Sequence, residues 1–210
     1  GYVLDKAREI GLIEIHQTAS ITRNFDGEDI SHLKDLDSSV RFISDDGKGI
    51  VSNKVMLEAM LFAKENNLTI ISHVEDQELV QIDSRISENL MTIRDLYLAR
   101  ESEVRLHIAH VSTKEAMAEI IRGKREGGNI SCEVTPHHIA LTEETKYSVN
   151  PPLRRKEDIS FLIRAIKEGW VDMIATDHAP HSIEDKLNGV PGISGLESAF
   201  CICYTKLVKE

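Results

Sequence analysis

Short apolar runs alternate along the chain with longer segments in which apolar residues recur at helical spacing. The runs predict six strands, at residues 11–16, 40–43, 68–73, 104–110, 129–135 and 171–176. Helical spacing is clearest at residues 53–66, 87–100 and 157–168. Strands that alternate with helices predict parallel βα units, which form either an open doubly wound sheet or a closed (β/α)8 barrel.

The composition is typical of a single globular domain that spans residues 1–210, with 41% hydrophobic and 29% charged residues. The longest apolar runs, such as residues 68–71, are too short to cross a bilayer. A formal net charge of −10 argues against nucleic acid as a partner. Three cysteines without a C-x-x-C pair argue against a disulfide framework and fit a reducing cytoplasm.

Candidate metal ligands fall at the C-terminal ends of five predicted strands. In parallel α/β folds these ends converge on one edge, where active sites form. Imidazole and carboxylate groups suit Zn²⁺, whereas a structural zinc site would favour thiols. The pattern predicts a metal site drawn from a set of seven residues: Asp45, Asp46, His73, His110, His137, His138 and Asp177.

Each of these residues also has a simpler interpretation. A single His or Asp at a strand end is a cap or a satisfied hydrogen-bonding group in roughly two cases of three. We interpret His16, His32 and His107 in this way, and we expect His107 to face the helix layer or an outer contact. The joint placement at almost every strand end is harder to attribute to chance, and it indicates a functional cluster.

Two further segments could bind a polar ligand. Asn150 precedes a Pro-Pro pair, where it either favours the turn or presents a fixed amide to a ligand. Residues 189–197 form a glycine-rich loop whose backbone N–H groups could hold an anion.

Taken together, the motifs resemble dihydroorotase, in the bacterial form of the amidohydrolase superfamily. The similar segments run in order over nearly the whole chain: SDDG (44–47), SHVED (72–76), HIAHVS (107–112), EVTPHH (133–138), VNPPLR (149–154), ATDHAPH (175–181) and GISGLE (192–197). The resemblance implies a (β/α)8 barrel of the metal-dependent hydrolase kind, with about six of its eight βα units present in this chain.

The resemblance also implies roles for individual residues. Asp46 would be the carboxylate that bridges two zinc ions, with its neighbour Asp45 as the alternative bridge. His73 and His110 would ligate the second zinc. Asp177 would sit on the first zinc and act as general base and then as general acid.

The substrate implied by the resemblance is dihydroorotate, opened reversibly to N-carbamoyl-aspartate in pyrimidine synthesis. Asn150 and His181 would contact this substrate, and the backbone around Pro191 and Gly192 would help to hold its carboxylate. Two protein partners are considered: a second copy of the chain in a homodimer, and aspartate carbamoyltransferase.

The chain departs from the family pattern in one respect that matters for metal binding. The family begins its metal site with a His-x-His pair, and no such pair occurs in these 210 residues. Asp46, His73 and His110 would still give one zinc three ligands, whereas the other would keep only Asp46 and Asp177. We therefore interpret the chain as an incomplete copy and expect it to be a weak or inactive hydrolase by itself.

Three other functions are considered. The first is a hydantoinase or allantoinase, against which the Asp45-Asp46 pair speaks, because those enzymes carry a carboxylated lysine at the bridging position. The second is an inactive dihydroorotase-like subunit that supports aspartate carbamoyltransferase. A nucleotide-binding domain is disfavoured, because no G-x-G-x-x-G follows the first predicted strand.

Overall fold

A computed structural model describes residues 2–210 of the chain. Its strands are β1 (Phe42–Ile43), β2 (Thr69–Ser72), β3 (Arg105–Ile108), β4 (Ile130–Val134) and β5 (Met173–Ile174). Its α-helices are α1 (Tyr2–Ile10), α2 (Asn53–Glu65), α3 (Ser84–Ser102), α4 (Lys114–Arg125), α5 (Pro136–Ala140), α6 (Lys156–Lys167), α7 (Ile183–Leu187) and α8 (Ala199–Tyr204). Short 3₁₀ turns and a terminal π-helical turn complete the described elements.

The five strands form one sheet in the order β1-β2-β3-β4-β5, and every neighbouring pair is parallel. The helices pack in the same order, since α2 contacts α3, α3 contacts α4, and α4 contacts α6. A doubly wound sheet would instead reverse its strand order at a switch point. Sequential parallel strands with one helix layer are the arrangement of a (β/α)8 barrel, part of which this chain forms.

The helices begin where the sequence offers a cap. Ser52 precedes α2, and its hydroxyl accepts a hydrogen bond from the backbone N–H of Val55 at 3.3 Å. Thr113 does the same for α4 through the N–H of Ala116 at 3.2 Å. Such caps satisfy N–H groups that have no partner within the helix, and each stabilises its helix by about 1 kcal/mol.

The two faces of the sheet carry different residues. Leu106 and Ile108 of β3 are buried in the apolar core beneath the helices. His107 lies between them on the other face, where Ser131 and Glu133 of β4 also lie. This second face is the barrel interior and is lined by polar side chains. The side chains that could do chemistry therefore share the interior, away from the helix layer.

The predicted strand at residues 11–16 is wrong. Leu12 and Ile13 are exposed, and no strand is assigned before β1 among residues 2–210. The chain pairs with the sheet later, through a single bridge between Ala19 and Ile43. An apolar run becomes a strand only where it has a hydrogen-bonding neighbour, and residues 11–16 have none here. The described residues accordingly contain five strands, where six were predicted.

None of the helices described between Tyr2 and Glu210 is long and apolar enough to span a membrane.

Candidate metal centre

Three candidate ligands meet at the C-terminal edge of the sheet. Asp46 follows β1, His73 follows β2 and His110 follows β3 by two residues, and their ligand atoms all lie within 4.8 Å of one another. His73 Nδ1 lies 2.7 Å from His110 Nε2. An oxygen of Asp46 lies 3.4 Å from His73 Nδ1 and 3.7 Å from His110 Nε2. We call these three residues the Asp46 cluster.

The Asp46 cluster is closed on one side and open on the other. The side chains of His73 and His110 are only 3% and 4% exposed, whereas that of Asp46 is 63% exposed. Buried imidazoles are held in fixed orientations by their surroundings, and an exposed carboxylate can bind an ion that arrives from solvent. The arrangement leaves one face of the cluster accessible to an ion and a small molecule.

The charges of the cluster depend on one another. The neighbouring imidazoles of His110 and His73 hold the pKa of Asp46 far below its usual range. Burial lowers the pKa of His73, but Asp46 and Glu75 outweigh it and raise that pKa to about 9. The cluster thus pairs a cationic imidazole with an anionic carboxylate at neutral pH. A divalent cation that binds here takes the place of the imidazole proton.

Asp45 is not part of the cluster. Its carboxylate is buried and accepts hydrogen bonds from the backbone N–H of Ile21 at 2.8 Å and of Thr22 at 3.0 Å, and from the Thr22 hydroxyl. These contacts fix the segment before β1 against the strand end. Of the two adjacent aspartates between which the sequence could not choose, only Asp46 faces the histidines.

Asp177 lines the same cavity as Asp46 and His110, a space of about 390 Å³ in the barrel interior. Burial raises the pKa of its carboxyl, His110 opposes that shift, and Asp46 adds to it. Both Asp177 and His110 have positive φ values, +48° and +34°. Such backbone is uncommon outside glycine and turns the chain sharply at each strand end.

Glu133 also lines this cavity, although the sequence did not single it out. It accepts a hydrogen bond from the backbone N–H of His110 at 3.3 Å, and its other oxygen lies 3.0 Å from His107 Nε2.

The expectation that His107 faces the helix layer or an outer contact is wrong, because its ring lies in the barrel interior between Ser131 and Glu133. Strict alternation along β3 could have indicated this, since Leu106 and Ile108 are the apolar positions.

Asn150 reaches the cluster through a residue that sequence reasoning also missed. Its side-chain amide donates to Glu75 Oε2 at 2.7 Å. Glu75 lies two residues after His73, and its Oε2 is 3.8 Å from His73 Nε2. The SHVED motif contained this signal, because an acid two residues after a candidate ligand can turn back towards it.

His181 lies against Gly192, and the loop that carries Pro191 and Gly192 bonds to Ser148, two residues before Asn150. The N–H of Gly192 donates to the carbonyl of Ser148 at 3.1 Å, and Lys186 Nζ donates to the carbonyls of Ser148, Val190 and Gly192 at 2.7–2.8 Å. A side chain at Gly192 would collide with the His181 ring, because a Cβ there would lie 2.7 Å from His181 Cδ2. The glycine thus lets this loop pack closely on His181.

His137 and His138 do not join the cluster. His138 is buried, with Nδ1 2.8 Å from the Thr135 hydroxyl and Nε2 2.9 Å from the carbonyl of Pro151. It ties α5 to the segment that carries Asn150. Burial, with a smaller effect of His110, lowers the pKa of His137 to about 4, so this imidazole is neutral.

A buried ion pair supports the loop that carries His110. Glu88 of α3 accepts from the N–H groups of Ser112 and Thr113 at 2.9 and 3.0 Å. Arg154 donates to Glu88 Oε2 at 3.0 Å and to the hydroxyl of Ser112 at 2.9 Å. Arg154 ends the VNPPLR segment, so the pair also anchors the Asn150 segment to the same loop.

The sequence has close relatives of known name. It is 56% identical over 212 residues to the dihydroorotase of Clostridium botulinum strain Eklund 17B, an alignment that covers 100% of this chain and 53% of that protein. The chain belongs to the dihydroorotase family. The dihydroorotase of Brevibacillus brevis is 37% identical over 237 residues, which cover 99% of the chain and 56% of that protein. The chain thus spans about half the length of these dihydroorotases. No family model matches the sequence.

Solved structures that are similar to this chain confirm the barrel fold. The L-hydantoinase of Arthrobacter aurescens superposes with a TM-score of 0.82 at 21% identity, over 98% of this chain and 54% of that one. The D-hydantoinase of a Thermus species gives a TM-score of 0.75 at 24% identity, over 92% of this chain and 50% of that one. At these identities the similarity establishes the fold, and function must be argued from the site.

The donor set in this member of the dihydroorotase family suits a divalent metal ion. Two imidazoles and a carboxylate are ligands that Zn²⁺ accepts, and three protein ligands leave a position open, as in catalytic zinc sites. His73 Nε2 and His110 Nδ1 are buried without a hydrogen-bond partner among residues 2–210. Metal-binding imidazoles ordinarily donate this second N–H to a neighbouring group. The donor types and the separations of the three ligand atoms fit a metal ion, and the outer nitrogens of both rings still need an acceptor.

Proposed function

We propose that this chain carries a large part of the active site of a zinc-dependent dihydroorotase, which opens dihydroorotate reversibly to N-carbamoyl-L-aspartate in pyrimidine biosynthesis. The observation that carries the proposal is the meeting of Asp46, His73 and His110 beside the cavity that Asp177 lines. The dihydroorotase relatives, identical at up to 56% of aligned positions, support the choice of substrate.

In this proposal Asp46, His73 and His110 hold one Zn²⁺, and Asp46 with Asp177 contributes to a second in the complete enzyme. When bound, zinc would lower the pKa of a water molecule and polarise an amide carbonyl. The substrate amide would approach the site from the side on which the carboxylate of Asp46 is exposed. The second ion would have only two ligands from this chain, which is too few for tight binding.

Asp177 is proposed to move the proton. Its carboxylate takes a proton from the attacking water and gives it to the ring nitrogen as the C–N bond breaks. Burial already raises the pKa of Asp177, which makes it a better base than an exposed carboxylate. The sharp backbone turn at this residue brings the carboxylate to the cavity lined by Asp46 and His110.

Substrate recognition is proposed for Asn150, His181 and the backbone of Pro191 and Gly192. Asn150 uses its amide nitrogen on Glu75 and keeps its carbonyl oxygen as an acceptor for a ring N–H. His181 is exposed beside Gly192 and can face the substrate carboxylate. The Gly192 N–H donates to the carbonyl of Ser148, so it would have to leave that carbonyl to hold the same carboxylate. Lys186 binds three carbonyls of this region and keeps the loop in place.

Zinc stoichiometry and turnover test the proposal. We expect the chain to bind one Zn²⁺ tightly and to turn over dihydroorotate slowly or not at all. A chimera with the Clostridium botulinum relative, in which this chain replaces the aligned 53% of that protein, is expected to be active on dihydroorotate. Asp177→Asn should reduce its kcat by at least about 100-fold, since a positioned acid–base group contributes about 10²–10⁴-fold.

Glu184→Gln provides the control, because Glu184 is exposed on the neighbouring helix α7. A chimera that prefers hydantoin or allantoin over dihydroorotate would establish the hydantoinase alternative. An inactive chimera that co-purifies with aspartate carbamoyltransferase would instead indicate a supporting subunit.

A homodimer and a cytoplasmic location complete the proposal. Size-exclusion chromatography tests the homodimer, and cell fractionation tests the location.

A further inference from the structure

We propose that Glu75 is a positioning residue of the metal centre, which accepts a hydrogen bond from the Nε2–H of His73 in the metal-loaded protein and is itself held by Asn150. The inference rests on the proposed metal site and adds to it a residue outside the Asp46 cluster. It also gives Asn150 a role in metal binding besides the proposed contact with substrate.

The first observation is the state of the His73 ring. Its Nδ1 faces the cluster, 2.7 Å from His110 Nε2 and 3.4 Å from Asp46. Its Nε2 is buried and has no hydrogen-bond partner among residues 2–210. A buried N–H without a partner costs roughly 1–3 kcal/mol, so an acceptor nearby has a clear energetic reason to approach.

Glu75 Oε2 is a carboxylate oxygen within reach of that nitrogen. It lies 3.8 Å from His73 Nε2, which is longer than a hydrogen bond but within range of a small side-chain movement. The Glu75 side chain is only 13% exposed, so solvent screens its charge weakly. A carboxylate that accepts from the second nitrogen of a metal-bound imidazole fixes its tautomer and increases its basicity.

Two contacts place the Glu75 carboxylate. Asn150 donates to Oε2 at 2.7 Å and Gln77 donates to Oε1 at 2.7 Å. Asn150 comes from a different part of the barrel, because it follows β4 and α5 in the chain. Its amide can therefore hold the carboxylate beside His73 independently of the local turn.

The backbone of Glu75 is fixed as well. Gly49 packs so closely on it that a Cβ at Gly49 would lie 1.7 Å from the Glu75 carbonyl oxygen. Gly49 belongs to the loop after β1 that also carries Asp46, so this contact joins the Asp46 loop to the His73 loop. A residue larger than glycine at position 49 would push the two ligand loops apart.

The neighbouring acid Asp76 does not share this role. Its carboxylate accepts from the backbone N–H groups of Glu78 and Leu79 at 2.9 Å, which closes the turn after His73. Asp76 is thus used by the local backbone, whereas Glu75 makes its contacts with side chains. The geometry points to Glu75 alone as the carboxylate partner of His73.

Cobalt titration tests the inference without relying on turnover. Co²⁺ replaces Zn²⁺ in sites of this donor type, and its visible absorption reports both affinity and ligand geometry. We expect Glu75→Gln to weaken Co²⁺ binding by about 10–100-fold, the usual effect of removing an outer partner of a metal-bound histidine. Glu78→Gln is the matched control, because it removes the same charge from an exposed position three residues away and should leave the Kd unchanged.

Asn150→Ala tests whether Asn150 acts through Glu75. Alone it should weaken Co²⁺ binding less than Glu75→Gln does, and on the Glu75→Gln background it should add almost nothing. The ¹⁵N spectrum of the His73 ring gives a readout that general destabilisation would not produce. The Zn²⁺-loaded protein, which is diamagnetic, should show Nε2 protonated and hydrogen-bonded, and Glu75→Gln should shift that resonance.

The possible results separate this inference from the proposed function. Tight Co²⁺ binding by the parent chain with an equal Kd for Glu75→Gln overturns the role of Glu75 and leaves the metal site standing. A parent chain that binds no Co²⁺ overturns the metal site and this inference together. Thermal unfolding of each variant shows that it is folded before its Kd is compared.

Discussion

Asp45 and Asp46 are neighbours in sequence whose carboxylates lie in opposite environments. Asp45 is buried and used entirely by the backbone and hydroxyl groups of Ile21 and Thr22, whereas the Asp46 side chain is 63% exposed beside two histidines. Sequence spacing cannot separate the two roles, because both residues follow the same strand. What separates them is a long-range contact with residues 21 and 22, which no local pattern reveals.

This difference predicts opposite effects of the same substitution. Asp45→Asn should lower the free energy of unfolding by about 3 kcal/mol, because an amide cannot accept all the hydrogen bonds that the buried carboxylate receives. Asp46→Asn should lower the free energy of unfolding by less than Asp45→Asn does, because the Asp46 side chain is largely exposed, but it should abolish tight Co²⁺ binding. Urea unfolding and Co²⁺ titration of both variants measure the two effects. Equal losses of stability would contradict the assignment.

The buried imidazole of His137 predicts how stability depends on pH. Its pKa is lowered from 6.5 to about 4 by burial and, less strongly, by His110. Between these values the unfolded chain binds a proton that the folded chain does not, so the free energy of unfolding falls as the pH falls below 6.5. Above pH 6.5 both states are neutral at this position and its contribution is constant.

His137→Gln removes this titrating group and should flatten the dependence of the free energy of unfolding on pH. Between pH 7.5 and 4.5 the parent chain should lose about 2–3 kcal/mol more than the variant, since each pKa unit corresponds to about 1.4 kcal/mol. Urea unfolding at several pH values gives both curves, and the other titrating groups cancel in their difference. Parallel curves would show that His137 is protonated equally in the folded and unfolded chains.

At the scale of elements, all five strands of the sheet lie within predicted runs, the edge strands β1 and β5 included, and the prediction that failed is the run at residues 11–16, which lies before the sheet. The predicted runs at residues 68–73, 104–110 and 129–135 contain β2, β3 and β4, and the segment at residues 53–66 contains α2. These elements lie between others, so their apolar residues are buried on folding. The run at residues 11–16 has the same apolar character, but no neighbouring strand pairs with it, and it stays irregular.

The site was predictable only where a residue ends a strand. Asp46, His73, His110 and Asp177 follow strand ends, and parallel topology alone brings such residues to one edge. Three other residues reach the same region differently. Glu75 turns back towards His73, Glu133 lies within β4, and Arg154 crosses from a distant loop. Their roles depend on tertiary contacts with His73, with the His110 backbone and with Ser112, which no spacing in the sequence encodes.

At the scale of the whole molecule, the proposed metal site would join three loops of the chain directly to one another. Its three candidate ligands follow three successive strands, and the loops that carry them are tied further by Gly49, Asn150 and Arg154. An ion that binds all three ligands stabilises the folded chain and has no equivalent site in the unfolded one. Binding free energy therefore appears as free energy of unfolding.

Zinc removal should accordingly lower the melting temperature. At a free Zn²⁺ concentration of 100 times Kd, the chain should gain about 2.7 kcal/mol over the chelated form. For a chain of 210 residues this corresponds to a rise in Tm of about 5–10 °C. Calorimetry of the zinc-loaded and the chelated protein measures the difference, and Asp46→Asn, which lacks the exposed ligand, should show less than about 1 °C. An equal rise in Asp46→Asn would mean that zinc stabilises the chain from another site, and the Asp46 cluster would then not be the metal centre.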